Sequence, residues 1–148
     1  MILEKIKEDL KNALKTKDEL RIATLRFLLS SIHNKEIEKK QELTDEEIIP
    51  LIQKQIKERK ESIEAFRKGK REDLASKEEK ELEILSSYLP QQASEEEVFK
   101  AVKESIEKVG AKGVKDFGVV MKEVMARLRG RVDGSKLAEK VREELSKS

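Results

Sequence analysis

Leu43–Gly69, LTDEEIIPLIQKQIKERKESIEAFRKG, is the most completely punctuated stretch of this 148-residue chain. Thr44 can cap a helix, Glu47 can bond back to the Thr44 N–H, and Leu43 can pack on Ile48 as a hydrophobic staple. Ile52, Ile56, Ile63 and Phe66 continue at helical spacing, and Gly69 is expected to close the helix at C′. Pro50 lies past the first turn, where it removes a hydrogen bond and crowds the preceding turn. A kink or a tightened turn is expected there.

Working outward, the same signals recur. Leu3, Ile6, Leu10, Ala13 and Leu14 give a first amphipathic helix, and Asp18 is placed to cap the next. From Glu19 to about Lys40 there are two apolar stripes. Leu20, Ala23, Phe27 and Ser31 form one; Ile22, Leu25, Leu29, Ile32 and Glu36 form the other. Burial on more than one side is expected, which makes this the central helix of a bundle. A further helix, from about Glu72 to Tyr88, carries Ala75, Leu82, Leu85 and Leu89, and Pro90 stops it. Ser94 with Glu97 forms a second capping box. Three short stripes follow: Val98, Val102, Ile106 and Val109; then Phe117, Val120, Met121, Val124 and Leu128; then Leu137, Val141 and Leu145. Gly110 and Gly130 close the first two. The expected fold is all-α, with an N-terminal helical bundle over residues 1–90 and a small C-terminal three-helix domain over residues 91–148.

Composition agrees with helices. Charged residues make up 43% of the chain and aromatic residues 3%, against roughly 25% charged in a typical domain. Aliphatic cores wrapped in Lys, Arg and Glu suit amphipathic helices better than strands. The chain has no cysteine, which excludes disulfides and thiolate metal sites. No apolar run approaches the roughly 18 residues of a membrane span, and no membrane association is expected. The start, MILEK, lacks the apolar stretch of a signal peptide. A cytoplasmic location is expected.

Little in the chain resembles catalytic machinery. His33 is the only histidine, and a lone histidine inside a helix is ordinarily a packing or surface residue. The serine pairs Ser30-Ser31 and Ser86-Ser87 lie within helical patterns, without the glycines that expose a nucleophile. No glycine-rich phosphate loop occurs. Catalytic residues, a metal site and a cofactor are all expected to be absent.

Two polar clusters remain. One is the third-helix run QKQIKERKES, where Gln53, Lys57, Arg59 and Lys60 form a candidate partner-binding face. A solvated face laced by i,i+4 ion pairs is the more ordinary reading of such a run. The second is basic and local. Residues 1–90 hold 20 basic and 20 acidic side chains, whereas residues 110–131 hold six basic against two acidic. Lys122, Arg127, Arg129, Arg131 and Lys136 cluster around Gly130 and Gly134, with Lys112 and Lys115 as outer steering charges. Basic side chains flanking a glycine turn between short helices suit a phosphate backbone. They also suit the helix dipole.

Four segments carry a resemblance: LRIATLRFLLSSIHNKEIE (Leu20–Glu38), LTDEEIIPLIQKQIKERKESIEAF (Leu43–Phe66), GKREDLASKEEKELEILSSYLP (Gly69–Pro90) and GVKDFGVVMKEVMARLRGRVDG (Gly113–Gly134). Together they resemble the YqeY-like proteins over nearly the whole chain. The resemblance implies an all-helical, two-domain protein related to the C-terminal tail of the B subunit of the Asp/Glu-tRNA amidotransferase. That tail is implicated in holding tRNA, while the chemistry lies in other domains. Gly118, Met121, Lys122, Gly130, Arg131 and Asp133 are the tail-like residues here. Phe117, Val132 and Pro50 depart from the family pattern. The resemblance implies a non-catalytic tRNA-binding accessory module. It also leaves two other readings: a component acting in trans with amidotransferase subunits in glutamine-dependent carbon–nitrogen ligase activity, or a protein–protein interaction module.

Overall fold

The computed structural model describes residues 1–147. Among them seven α-helices follow one another: α1 Ile2–Thr16, α2 Glu19–Lys39, α3 Asp45–Lys68, α4 Glu72–Ser86, α5 Glu95–Val109, α6 Phe117–Arg127 and α7 Gly134–Ser146. A 3-10 turn, Val114–Asp116, precedes α6. The helices fall into two compact units, Met1–Leu89 and Pro90 onward. No helix among the described residues is long and apolar enough to cross a membrane.

In the first unit the capping chemistry sets where helices begin. Asp18 accepts the Arg21 N–H at 3.2 Å and starts α2. The Thr44 N–H donates to the Glu47 carboxylate at 3.1 Å and starts α3. Leu43 and Ile48 both enter the core, as a staple requires. Ile6 of α1, Leu25, Leu28 and Ile32 of α2, Ile48 and Ile52 of α3, and Leu85 of α4 are fully buried together. Each such side chain contributes roughly 1.5–3 kcal/mol through the apolar area it removes from water. The α3–α4 pair is the most extensive, because the short connection after Gly69 folds α4 back along α3. Tyr88, just past α4, donates its hydroxyl to Asp9 of α1 at 2.6 Å and fastens the first and last helices of the unit. Burial, and then the Asp9 bond, push the Tyr88 phenol up. Burial also pushes the Asp9 carboxyl up, but bonds from Tyr88 and Lys5 outweigh it and hold the group below its ordinary range.

Two local expectations are corrected. The tightened turn expected at Pro50 is absent: α-helix continues through it from Asp45 to Lys68. Pro50 is itself exposed, so its ring lies on the solvent side of the helix and not in the core. Gly69 is not the left-handed closing residue: its φ is −84°, and Lys70 takes the left-handed conformation at φ 58°. The Lys70 N–H bonds to the Arg67 carbonyl and the Arg71 N–H to the Phe66 carbonyl at 2.8 Å, a Schellman closure with lysine at C′. Lys17 and Lys40 do the same after α1 and α2, at φ 58° and 59°.

In the second unit Ser94 and Glu97 form the capping box of α5, with Ser94 Oγ accepting the Glu97 N–H at 3.1 Å. Gly110 closes α5 in the left-handed conformation, and the Asp133 side chain caps α7 by accepting the Ser135 N–H at 2.9 Å. Val102, Val120, Val124, Leu137, Val141 and Leu145 form one core shared by the three helices. Ser105 is fully buried in this unit, and its hydroxyl lacks a hydrogen-bond partner.

Three outcomes follow from this architecture. Lys40→Gly and Lys70→Gly should each stabilise the protein by about 0.5–1 kcal/mol in urea melts, because glycine carries no Cβ penalty in the left-handed region. Ser105→Ala should raise stability by up to about 1–2 kcal/mol by removing an unsatisfied buried hydroxyl. Tyr88→Phe should cost about 1.5–3 kcal/mol at neutral pH, the value of a bond to a charged group. Because the folded Asp9 carboxyl lies below its unfolded value, this advantage is complete above a pH of about 4 and is lost as pH falls through the folded value. Melts of both proteins between neutral and acid pH measure that convergence.

Candidate nucleic-acid interface

The basic residues of the C-terminal unit divide in space and in role. Arg127, at the end of α6, donates to Glu104 of α5 at 2.7 Å and to Glu123 of its own helix at 3.4 Å. Lys108 reaches the same Glu123 oxygen at 2.8 Å, and that bond, followed by the Arg127 bond, holds the Glu123 carboxyl low. These contacts lace α5 to α6. Arg131 donates through Nε to the Gln91 carbonyl at 2.8 Å and through Nη2 to Glu97 at 2.7 Å. The Ala93 N–H bonds to the Arg131 carbonyl at 2.7 Å, and Gln92 Nε2 bonds to the Gly130 carbonyl at 3.2 Å. The connector Gln91–Ala93 is thereby fastened to the turn after α6. The Arg131 bond is the largest influence holding the Glu97 carboxyl below its usual range. Of the two turn glycines, only Gly130 has a positive φ, 67°. Gly134 is the first residue of α7, and a Cβ there would meet nothing within 4 Å, so the turn does not require glycine at that position.

The lysines behave differently. Lys112, Lys115, Lys122 and Lys136 are exposed, and none makes an ion pair among the described residues. Lys115 precedes α6, and Lys122 projects from the exposed face of that helix, which also carries Gly118, Val119 and Met125. Val119 is 57% exposed and Val114 53%, so this face mixes apolar contact area with cations. Asp116, the acid nearest Lys112 and Lys115 in the chain, accepts the Lys112 backbone N–H at 2.9 Å.

Sequence reasoning missed residues from α7 and α5. The Arg142 guanidinium lies 4.6 Å from the centre of the Phe117 ring, a cation–π contact at the start of α6. Lys103 and Lys140 sit 4.7 and 5.6 Å from the centre of the half-exposed Phe99 ring. Lys103 meets Phe99 four residues before it on the same helix, whereas Lys140 and Arg142 gain an aromatic partner only when α7 packs on its neighbours.

The candidate partner face on α3 is also divided. Lys57 and Lys60 are exposed and Gln53 is half-buried. Arg59 points the other way. Its side chain is 16% exposed, and it reaches Glu78 and Glu81 of α4 at 3.4 and 3.3 Å. It also lies 5.9 Å from the centre of the Phe27 ring on α2. Burial raises the Glu81 carboxyl, and Arg59 opposes that rise. No cluster of three or more His, Asp or Glu side chains able to hold a metal ion occurs among the described residues.

Residues 3–145 match the family model described as Yqey-like protein. This chain belongs to that family. Among similar proteins is one from Pyrenophora tritici-repentis named altered inheritance of mitochondria protein 41, mitochondrial. It is 36% identical over 146 residues, covering 97% of this chain and 80% of the relative. Proteins of the same name from Lachancea thermotolerans and Kluyveromyces lactis are both 48% identical, over 96 and 97 residues. Those alignments cover 63% of this chain and 51% and 52% of the relatives. The chain thus spans four-fifths of the first relative and about half of the other two.

The two classes of basic residue make separable predictions. Arg131→Ala should speed amide hydrogen exchange at Ala93 while leaving exchange in α3 and α4 unchanged, since it releases the connector without touching the first unit. Glu97 is depressed in the folded state, so the contribution of the Arg131–Glu97 pair is present above the ordinary glutamate range and fades as pH falls below it. The exchange difference between the two proteins should shrink accordingly in acid.

Proposed function

We propose that the C-terminal unit is a docking surface for the phosphate backbone of tRNA, and that the chain acts as a non-catalytic accessory to a tRNA-modifying enzyme rather than as an enzyme itself. One observation carries this reading. The acids Glu97, Glu104 and Glu123 are engaged internally by Arg131, Arg127 and Lys108, whereas Lys112, Lys115, Lys122, Lys136 and Arg142 carry no carboxylate partner. Lys112, Lys115 and Lys122 thus leave positive charge exposed on and just before α6. Lysines on flexible stems suit sequence-independent phosphate contact, and the exposed Val114 and Val119 add apolar area at the same face. With few aromatic rings to stack bases, shape and backbone would dominate recognition. The resemblance to the tail of the amidotransferase B subunit is what favours tRNA as the RNA and amide transfer as the setting. The location proposed is the cytoplasm; the mitochondrial names belong to the fungal relatives.

The test is binding of unfractionated tRNA to the full-length chain across a salt series. We expect roughly micromolar affinity, with log K falling by about 3–4 per log unit of salt, as four or so phosphate contacts require. Lys115→Gln with Lys122→Gln should weaken binding about tenfold and reduce the slope by about 2, with no change in the melting temperature. Arg127 and Arg131 are unsuitable for this purpose, because changing them also removes contacts with Glu104, Glu123, Gln91 and Glu97 within the unit. Absence of binding at low salt, or an unchanged slope in the double variant, would overturn the reading.

A further inference from the structure

The third-helix run singled out in the sequence contains a buried amide that the RNA reading leaves unused. Gln55 of α3 is 5% exposed. Its orientation is set by its neighbours. The Ser31 hydroxyl on α2 donates its one proton to the Phe27 carbonyl at 3.2 Å, so it accepts from Gln55 Nε2 at 2.9 Å. The other arm of the amide, Oε1, is buried and has no hydrogen-bond partner among the described residues. An oxygen so placed calls for an N–H or O–H donor. Gln55 lines an open groove of about 440 Å³ between α2 and α3, together with Phe27, Ser31, Asn34 and Leu51. Small-ligand sites occupy roughly 300–1,000 Å³. Phe27 is 57% exposed and Leu51 half-buried, so the walls offer one aromatic and one aliphatic surface. The Arg59 guanidinium lies 5.9 Å from the centre of the Phe27 ring and steadies it. Charges at the rim balance, Lys35 and Lys54 against Glu38 and Glu58, with Lys35 and Glu38 paired at 3.7 Å. The group that enters the groove is therefore a neutral one. Asn34 is exposed and makes no hydrogen bond among the described residues, so its amide offers both a donor and an acceptor.

We propose that this groove binds one unpaired nucleobase, whose ring lies on Phe27 and whose amino group donates to Gln55 Oε1. The chemistry of the groove selects that class. A nucleobase is flat, neutral and apolar on its faces, and adenine sets an amino donor beside a ring-nitrogen acceptor on one edge. The donor answers Gln55, and the acceptor suits the Asn34 amide nitrogen. An indole carries one N–H and no acceptor, and would leave Asn34 unanswered. A guanidinium has donors only and would bring a further cation beside Lys35, Lys54 and Arg59. Stacking on one exposed ring is a sequence-tolerant way to hold a base. Lys35 and Lys54, on long stems, can meet a phosphate carried outside the groove. A free nucleotide and an unpaired stretch of RNA present the same chemistry, and the test separates them. The site lies in the first unit and does not rest on the cations of the second.

The test is titration of adenosine monophosphate into the full-length, nitrogen-15-labelled chain, read by NMR from the side-chain amide signals of Gln55 and Asn34. Both should shift and saturate in the roughly millimolar range, while ribose phosphate leaves Gln55 unmoved. Phe27→Leu, at an exposed position, should weaken binding about tenfold by removing the stacking surface. Gln55→Met keeps the side-chain length, removes the acceptor and should weaken binding similarly, with an unchanged helical spectrum. A single strand of about ten adenine nucleotides that binds at least tenfold more tightly than the mononucleotide, and loses this on pairing with its complement, identifies unpaired RNA as the source. Equal affinity per base identifies the free nucleotide, and either result upholds the site. Lys115→Gln with Lys122→Gln should leave the Gln55 shift intact, so failure of this site and failure of the C-terminal surface are read separately. An unmoved Gln55 signal at about 10 mM adenosine monophosphate would overturn the proposal. So would equal shifts with ribose phosphate, binding indifferent to Phe27→Leu, or a response to N-acetyltryptophanamide in place of the nucleotide.

Discussion

The N-terminal unit depends on what happens to one guanidinium. Arg59 leaves α3 on its inner side, meets Glu78 and Glu81 of α4, and lies under Phe27 of α2. Removing it would leave two partly buried carboxylates facing each other, the arrangement in which loss of one partner costs far more than the pair was worth. It would also free the Phe27 ring. Three helices thus take their relative placement from a single side chain whose sequence neighbours, Lys57 and Lys60, face solvent. In a chain where 43% of residues are charged, arginine adds connections between helices to the core that the apolar stripes build.

The same division of labour runs through the C-terminal unit. Arg127 and Arg131 use the planar fork of the guanidinium to reach two acceptors each, which a lysine ammonium does with less geometric definition. Lys112, Lys115, Lys122 and Lys136 are left at the surface without a carboxylate partner. The functional reading follows from that sorting more than from the number of basic residues. A cluster of six bases looked like one patch in the sequence; folded, Arg127 and Arg131 act as fasteners, beside lysines without a carboxylate partner.

Helix starts were legible because their chemistry is local. Thr44 with Glu47, Ser94 with Glu97, and Asp18 each bond within three residues, so spacing alone identifies them. The apolar stripes were legible for the same reason, and they led to an all-helical fold. What could not be read is what depends on distant partners or on solvent. Arg127 pairs 23 residues away and Arg131 pairs 34 residues away, and neither separation leaves a trace in periodicity. Arg142 and Lys140 meet their rings only once α7 is packed. At the end of α3, Gly69 and Lys70 compete for the left-handed position, and the hydrogen-bond closure selects the lysine despite its Cβ. Phe27 carried the signature of a core residue and is exposed, because apolar spacing reports that a face wants covering and not which molecule covers it.

The fastening of Gln91–Ala93 also defines a path for mechanical load. Tension entering the second unit at Pro90 does not arrive first at the N-terminal turn of α5. It meets the Ala93–Arg131 backbone bond, the Gln92–Gly130 bond and the Arg131–Gln91 bond, and passes into the turn that joins α6 to α7. The Ser94–Glu97 cap therefore sits behind a clamp. Under pulling, the connector would peel from Arg131 before α5 began to unwind, and the three-helix core would stay intact while the tether lengthened by the few residues the clamp holds.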